Sequence, residues 1–155
     1  MNTVILGLGS NISPQQNLPE AVRRLSECVE IVAVSSFWET AAIGSAGPVF
    51  WNAAITVKTG FDISTLKQEV LRKIETGLGR VRVADKNASR TIDLDILVFN
   101  QEVLDENLFQ LDHLILPVAE LNPNLVEPGT GKTMKILAKE HCCKPTAVNI
   151  GPLLY

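Results

Sequence analysis

"RTIDLDILVFN", residues 90–100, alternates Leu94, Ile96 and Val98 with Asp93 and Asp95. Apolar and polar residues in period two mark a half-buried strand, so this stretch is expected to be a sheet strand. The oddity is its polar face. Residues i and i+2 of a strand point the same way, roughly 7 Å apart at about 3.3 Å per residue. Two carboxylates so placed repel, and partial burial would raise the pKa of one of them. A divalent cation removes that conflict. Magnesium takes oxygen ligands, typically one or two carboxylates together with waters and substrate phosphates. Two such ions can hold a polyphosphate in line for attack.

The residues just upstream strengthen this reading. Arg80, Arg82, Lys86 and Arg90 crowd the approach to Asp93. Arginine grips phosphate through a planar fork and stays ionised at any relevant pH. The alternative for the acids alone is a solvent-facing strand, and for the loop a set of surface ion pairs of little worth. Taken together, a cationic loop running into a carboxylate pair points to phosphoryl chemistry with ATP.

Outward from this strand, the chain alternates elements. Val4–Leu8 is a short apolar run ended by glycines, read as a first strand. "NLPEAVRRLSECV" spaces Leu18, Ala21, Val22 and Leu25 at helical intervals, with Pro19 expected near the helix start. "EIVAVSSFWET" and "VFWNAAITVKTG" are β-branched and aromatic and read as strands, joined by the small-residue loop "AAIGSAGP". Asp62 or Ser64 is placed to cap a second helix bearing Leu66, Val70, Leu71 and Ile74. The order β-α-β-β-α-β predicts an α+β, ferredoxin-like antiparallel sheet backed by helices, with C-terminal helical additions such as "KTMKILAKEH". No domain boundary interrupts residues 1–155, which are expected to form one domain.

Bulk composition narrows the function classes. A net charge of −3 among 155 residues opposes a broad nucleic-acid or membrane-surface field. Cys28, Cys142 and Cys143 lack CxxC spacing, so neither a disulfide framework nor a zinc site follows, and reduced thiols in a cytoplasmic protein are expected. The apolar start is too short for a signal or a membrane span. Two motifs are decoys. "GTGKT" at 129–133 has Val126 where a phosphate loop needs glycine, and "GLGSN" at 7–11 lacks the third glycine of a dinucleotide fingerprint.

"GLGSN", "SSFWET", "FWNAAI", "IETGLGRVR" and above all "SRTIDLDILVF" resemble, in order and spacing, the 6-hydroxymethyl-7,8-dihydropterin pyrophosphokinases of the folate pathway. The resemblance implies a ferredoxin-like fold and attack of the pterin hydroxymethyl oxygen on the β-phosphorus of ATP, releasing AMP. It implies that Asp93 and Asp95 hold two magnesium ions, and that Arg80 and Arg90 neutralise charge developing on the transferred group. Glu75, Arg82, Ile96 and His113 would line the nucleotide side. Asn52 would bind the pterin's amide edge with backbone groups near Thr40 and Ala42, and Phe50 would supply a ring. Gly44 to Pro48 and Val83 to Ser89 correspond to loops that close over the substrates. The implied partners are ATP and a dihydropterin, without nucleic acid or membrane, and the chain is expected to be a monomer.

The chain also departs from the family pattern. "LDHLILPVAEL" runs straight from His113 into Leu114 and Pro117, without the intervening stretch that carries an arginine and a pterin-stacking phenylalanine. Two other functions therefore stay open: the same transfer to a different hydroxymethyl acceptor, or a ferredoxin-like binding module. RNA readers of this fold expose aromatics on the sheet, whereas this sheet is expected to show acids.

Overall fold

A computed structural model describes residues 1–40, 48–81, 83–84, 89–142 and 147–152. Its sheet is built from β1 (Asn2–Ser10), β2 (Glu30–Val34), β3 (Ser36–Thr40), β4 (Phe50–Thr59), β5 (Asp93–Phe99), β6 (Glu102–Val103) and β7 (Ala147–Pro152). The strand order is β6-β5-β1-β4-β3-β7, with β2 also paired to β4, and every pairing is antiparallel. Its centre, β5-β1-β4-β3, is the ferredoxin-like arrangement expected from the sequence. The strand read over "EIVAVSSFWET" is broken in two at Ser35. There the hydroxyl accepts from Ala54 N at 2.8 Å while Ser35 N donates to Ala54 O at 2.9 Å. The buried backbone at the break is therefore paired despite the interruption.

Helix α1 (Pro14–Ser26) buries Leu18, Ala21, Val22 and Leu25, as its spacing dictates. The proline at its start is Pro14. Pro19 lies inside the helix, contrary to its expected position, and leaves one backbone carbonyl of the preceding turn without its usual donor. The second helical run comprises α2 (Ile63–Thr65), a π segment (Leu66–Leu71) and α3 (Arg72–Gly77). Asp62 caps it, accepting from Thr65 N at 2.7 Å. Arg72 N reaches back to Lys67 O, five residues earlier, and this wider turn brings both Ile74 and Glu75 to the buried side.

Helices α1 and α2–α3 cover one sheet face, over a core that includes Leu6, Leu8, Leu25, Ile55, Val57, Leu66 and Leu71. The other face carries α4 (Asp112–Leu121) and α5 (Met134–His141) over Ile5, Ala54, Leu97, Val98, Leu108, Ile115 and Met134. The side chains of Asp112 and His141 pair to tie the two helices together. No helix among the described residues is long and apolar enough to cross a membrane.

Strand β5 departs from simple alternation at one point. Ile96 pairs with Leu6 and Val98 with Ile5, so Leu97 is the extra residue of a bulge. Beyond it the strand's sides exchange. Leu94 belongs to the core beneath α1, while Leu97 and Val98 both enter the core beneath α4, so Val98 does not share a face with Leu94 as read from the sequence. Leu97 is fully buried. Leu97→Ala is expected to cost about 2–5 kcal/mol of stability, as large-to-small core changes do, measured by urea denaturation.

Candidate active site

Upstream of the bulge, Asp93 and Asp95 project from one side of β5, and the partner strand explains the room they have. Gly9 stands opposite Asp93 and Gly7 opposite Asp95. The two acids thus face glycines rather than side chains across the β1–β5 pairing. Gly9 has a second neighbour: a Cβ there would lie 3.0 Å from Asn52 Oδ1. Asn52 is buried on β4, and its Nδ2 donates to Thr40 Oγ1 at 2.8 Å. The glycine motif that resembled a dinucleotide fingerprint is therefore a steric allowance, at Gly9 for Asn52 and at Gly7 for Leu97, whose methyl would lie 3.1 Å from a Cβ there.

Asp93 sits in a network of charges. Arg80 Nη1 bonds Asp93 Oδ1 at 2.5 Å and Glu75 Oε2 at 2.6 Å, while Arg90 Nη1 reaches Asp93 Oδ2 at 3.0 Å. The side chains of Glu75 and Arg80 are only 4% and 11% exposed. Burial alone would lower the Arg80 pKa, but the carboxylates of Asp93 and Glu75 outweigh it and raise it. Glu75, expected beside the nucleotide, instead stands behind Arg80 and fixes it from the interior. Arg90 also lies over the Phe50 ring, its Cζ 5.7 Å from the centroid, within cation–π range.

Asp95 has a different environment. It makes no hydrogen bond or ion pair with a described residue. Its carboxyl is pushed up to about 7, first because the concave walls strip water from it, although its side chain still meets solvent, and then by the charges of Asp93, Glu75 and Asp105. Arg80 opposes the shift without cancelling it.

Two cavities meet at this carboxylate. The larger, about 660 Å³, lies between the sheet and α4, and its walls include Thr40, Phe50, Asn52, Arg90, Asp93 and His113. The smaller, about 410 Å³, lies towards the second helical run and is lined by Ile63, Lys67, Leu71 and Ile96. Asp95, Asp105 and Asn107 line both. Of the residues singled out in the sequence, Thr40, Phe50, Asn52, Arg90, Asp93, Asp95 and His113 converge on the larger cavity, and Ile96 lies in the smaller. Half-buried His113 is held below its ordinary pKa by desolvation, against the pull of Asp105, Asp112 and Asp93. Ala42, Arg82 and residues 44–47 and 85–88 of the two expected mobile loops lie outside the described residues.

Asp105 was not singled out in the sequence, where it is one acid in the mixed stretch "QEVLDEN". Its Oδ1 accepts from Asn107 N at 2.9 Å, a short side-chain-to-backbone turn that places both at the junction of the cavities. A D-x-N turn directly after a strand was its available signal.

The comparisons with known proteins bear on this site. Residues 5–123 match the model of the family described as 7,8-dihydro-6-hydroxymethylpterin-pyrophosphokinase (HPPK). The chain belongs to the HPPK family. Among its relatives, the 2-amino-4-hydroxy-6-hydroxymethyldihydropteridine pyrophosphokinase of Aquifex aeolicus is 33% identical, over 94% of this chain and 96% of the relative. The protein of the same description from Synechocystis is 30% identical, over 90% and 76%. The Plasmodium falciparum HPPK-DHPS crystal structure superposes with a TM-score of 0.74 at 12% identity, over 96% of this chain. This chain spans 48% of that longer protein, and the likeness carries the fold alone.

Whether magnesium suits this HPPK site is answered by its donor set. No group of three or more candidate metal-binding side chains converges among the described residues, so no all-protein cage is present. An unpaired carboxylate crowded by other acids, two residues from a second carboxylate, fits a magnesium ion that takes its remaining oxygens from water and phosphate. The shift of Asp95 carries a stability consequence. Folded Asp95 keeps its proton to about pH 7, whereas the unfolded chain loses it near the ordinary value of 3.8. Stability conferred by this group therefore declines as pH rises between those values and stays lower above them. Asp95→Asn removes the penalty. Thermal melts without magnesium should show the variant to be the more stable at pH 8, with the advantage fading towards pH 4.

Proposed function

We propose that this HPPK-family chain transfers pyrophosphate from ATP to the hydroxymethyl group of 6-hydroxymethyl-7,8-dihydropterin, releasing AMP, as a step in folate biosynthesis. The observation that carries the reading is the placement of Asp95. It stands at the junction of the two cavities, with Arg80, Arg90 and Asp93 forming one charged network beside it. That is the composition required where a triphosphate from one side meets an acceptor from the other.

In this reading the smaller cavity takes the adenosine, with Ile96, Ile63 and Leu71 supplying apolar contact. The larger takes the pterin. Asn52 and Thr40 present fixed polar atoms at the sheet, and the Phe50 ring supplies a face for stacking. Asp93 and Asp95 would hold two magnesium ions, which supply charge neutralisation on the phosphates when bound. Arg80 and Arg90 are positioned by Glu75, Asp93 and Phe50 rather than by solvent. Phosphate oxygens arriving at the junction compete with Asp93 for these guanidiniums, and the charge that builds on the transferred group falls beside them. Their contribution is electrostatic and positional; no side chain becomes covalently attached.

A second reading keeps the transfer and changes the acceptor. Its motive is the wall of the larger cavity formed by Leu111, Leu114, Pro117 and Val118, which is aliphatic where the family pattern supplies an aromatic ring. Comparing turnover of the dihydropterin with that of other hydroxymethyl heterocycles separates the two; exclusive turnover of the pterin rejects the second.

Incubation with ATP, magnesium and the dihydropterin should yield AMP in step with product, and formation of ADP instead would contradict the proposal. Arg90→Ala should lower kcat by about 10²–10³-fold, the usual loss when one electrostatic stabiliser is removed. Gly9→Ala should act differently. The added methyl pushes against Asn52 Oδ1, so steady-state kinetics should show a higher KM for the acceptor with the KM for ATP nearly unchanged.

A further inference from the structure

Asn11 touches neither cavity, yet it is 5% exposed, and its backbone N–H and both side-chain polar atoms bond chain segments that frame the site. Its side-chain Oδ1 accepts from Arg90 N at 2.8 Å, and its own backbone N donates to Arg90 O at 3.2 Å. Both polar groups of the Arg90 peptide backbone are thus held by one residue at the end of β1. The amide of Asn11 turns the other way. Nδ2 donates to Ser89 Oγ at 3.3 Å and, at the long limit of 3.5 Å, to Pro48 O. Pro48 lies two residues before Phe50, the first residue of β4 and the ring beneath the Arg90 guanidinium.

We infer that Asn11 is a positioning residue for Arg90: its carboxamide fixes the backbone from which the guanidinium reaches Asp93 and Phe50. The inference rests on the proposed reaction for its kinetic consequence but not for its structural one. An arginine side chain has many rotamers, and its head can be held at a reacting group only if its root is also held. The sequence order hides this link, because Asn11 and Arg90 are 79 residues apart. A carboxamide suits the task because it offers an acceptor and a donor on one rigid plane. Alanine offers neither, and aspartate keeps only the acceptor that meets Arg90 N.

The test is a double-mutant cycle read by kinetics and by NMR. Asn11→Ala should lower kcat by about tenfold to a hundredfold, the scale of a misplaced catalytic group, with KM for ATP and acceptor little changed. Made in an Arg90→Ala background, the same change should alter kcat by less than about twofold, because residues acting through one another are not additive. Equal losses in both backgrounds would overturn the inference and assign Asn11 a merely structural part. Asn11→Asp, which keeps the acceptor, should retain most of the wild-type kcat. A loss as large as that of alanine would overturn the assignment to Arg90. The Arg90 Nε–Hε resonance, assigned by its disappearance in Arg90→Lys, should shift or broaden in Asn11→Ala and stay near its wild-type position in Asn11→Asp. An unmoved resonance in both variants overturns the inference. That measurement needs no turnover, so wild-type protein that makes no AMP defeats the proposed function while the NMR result still decides the role of Asn11.

Discussion

The site depends on an imbalance of charge confined to a few ångströms of sheet. Glu75, Asp93, Asp95 and Asp105 gather around two described arginines, Arg80 and Arg90. Taking such groups out of water is costly, and a buried ion pair repays that cost only when its geometry is good. Here the repayment is unequal. Asp93 receives both guanidiniums, Glu75 shares one, and Asp95 receives none from a described residue. The acid without a cationic partner among the described residues is therefore the side chain that borders both cavities, and desolvation and the surrounding charges hold its pKa up. A site holding this excess without ligand has its strongest attraction for cations, while its arginines are poised for anions. A nucleotide accompanied by divalent metal would bring both charges together, which is the electrostatic ground for the proposed magnesium–ATP complex.

Backbone irregularities make that imbalance geometrically available. A regular β5 would continue its alternation past Ile96. The bulge at Leu97 ends it, so the strand supplies acids to the cavity for its first half and core to the same face afterwards. The two glycines of β1 let Leu97 and Asn52 close over the strand opposite the acids. The π segment in the second helical run does comparable work on the other face. At the wider π spacing, Glu75 turns inward beside Ile74 rather than outward to solvent. Each departure from ideal geometry lies within a strand or helix that is otherwise well buried, which is where surrounding packing can hold it in place.

These irregularities also mark the limit of what the sequence discloses. The strand order, the faces of α1 and of the second helical run, and the convergence of Asp93, Asp95 and Arg90 follow from periodicity and charge, because period and burial are coupled wherever the element is regular. The burial of Glu75 does not follow. A 3.6-residue period puts it off the apolar stripe, and nothing in "LKQEVL" announces the extra residue in the turn. Asp105 escaped for another reason. Its importance comes from a turn that brings it opposite Asp95, not from its neighbours in sequence. Helix α4 was hidden by Pro117, which reads as a breaker but sits buried within the helix. Strand β7 was hidden because an edge strand at the end of a chain needs only one partner, and that partner, β3, is remote.

The aliphatic wall of the larger cavity can be weighed in the same terms. Aromatic stacking on a flat base contributes about 1–3 kcal/mol by analogy with nucleobases. Burying a leucine side chain contributes about the same through area alone. On the proposed reading, an aliphatic wall of Leu114 and its neighbours on α4 need not weaken acceptor binding, but it would change what is recognised. Area burial is indifferent to ring electronics and orientation, whereas stacking is not. Selectivity must then come from the groups that remain fixed. Asn52 is held by Thr40 and fitted against Gly9, and the Phe50 ring lies under the Arg90 guanidinium. On the proposed reading, the polar edge of the acceptor, read by a buried and preoriented carboxamide, would carry more of the discrimination than the ring faces do. A site of that kind would disfavour an analogue lacking the matching hydrogen-bonding edge, because the asparagine's remaining hydrogen-bonding capacity would go unmet in a buried position.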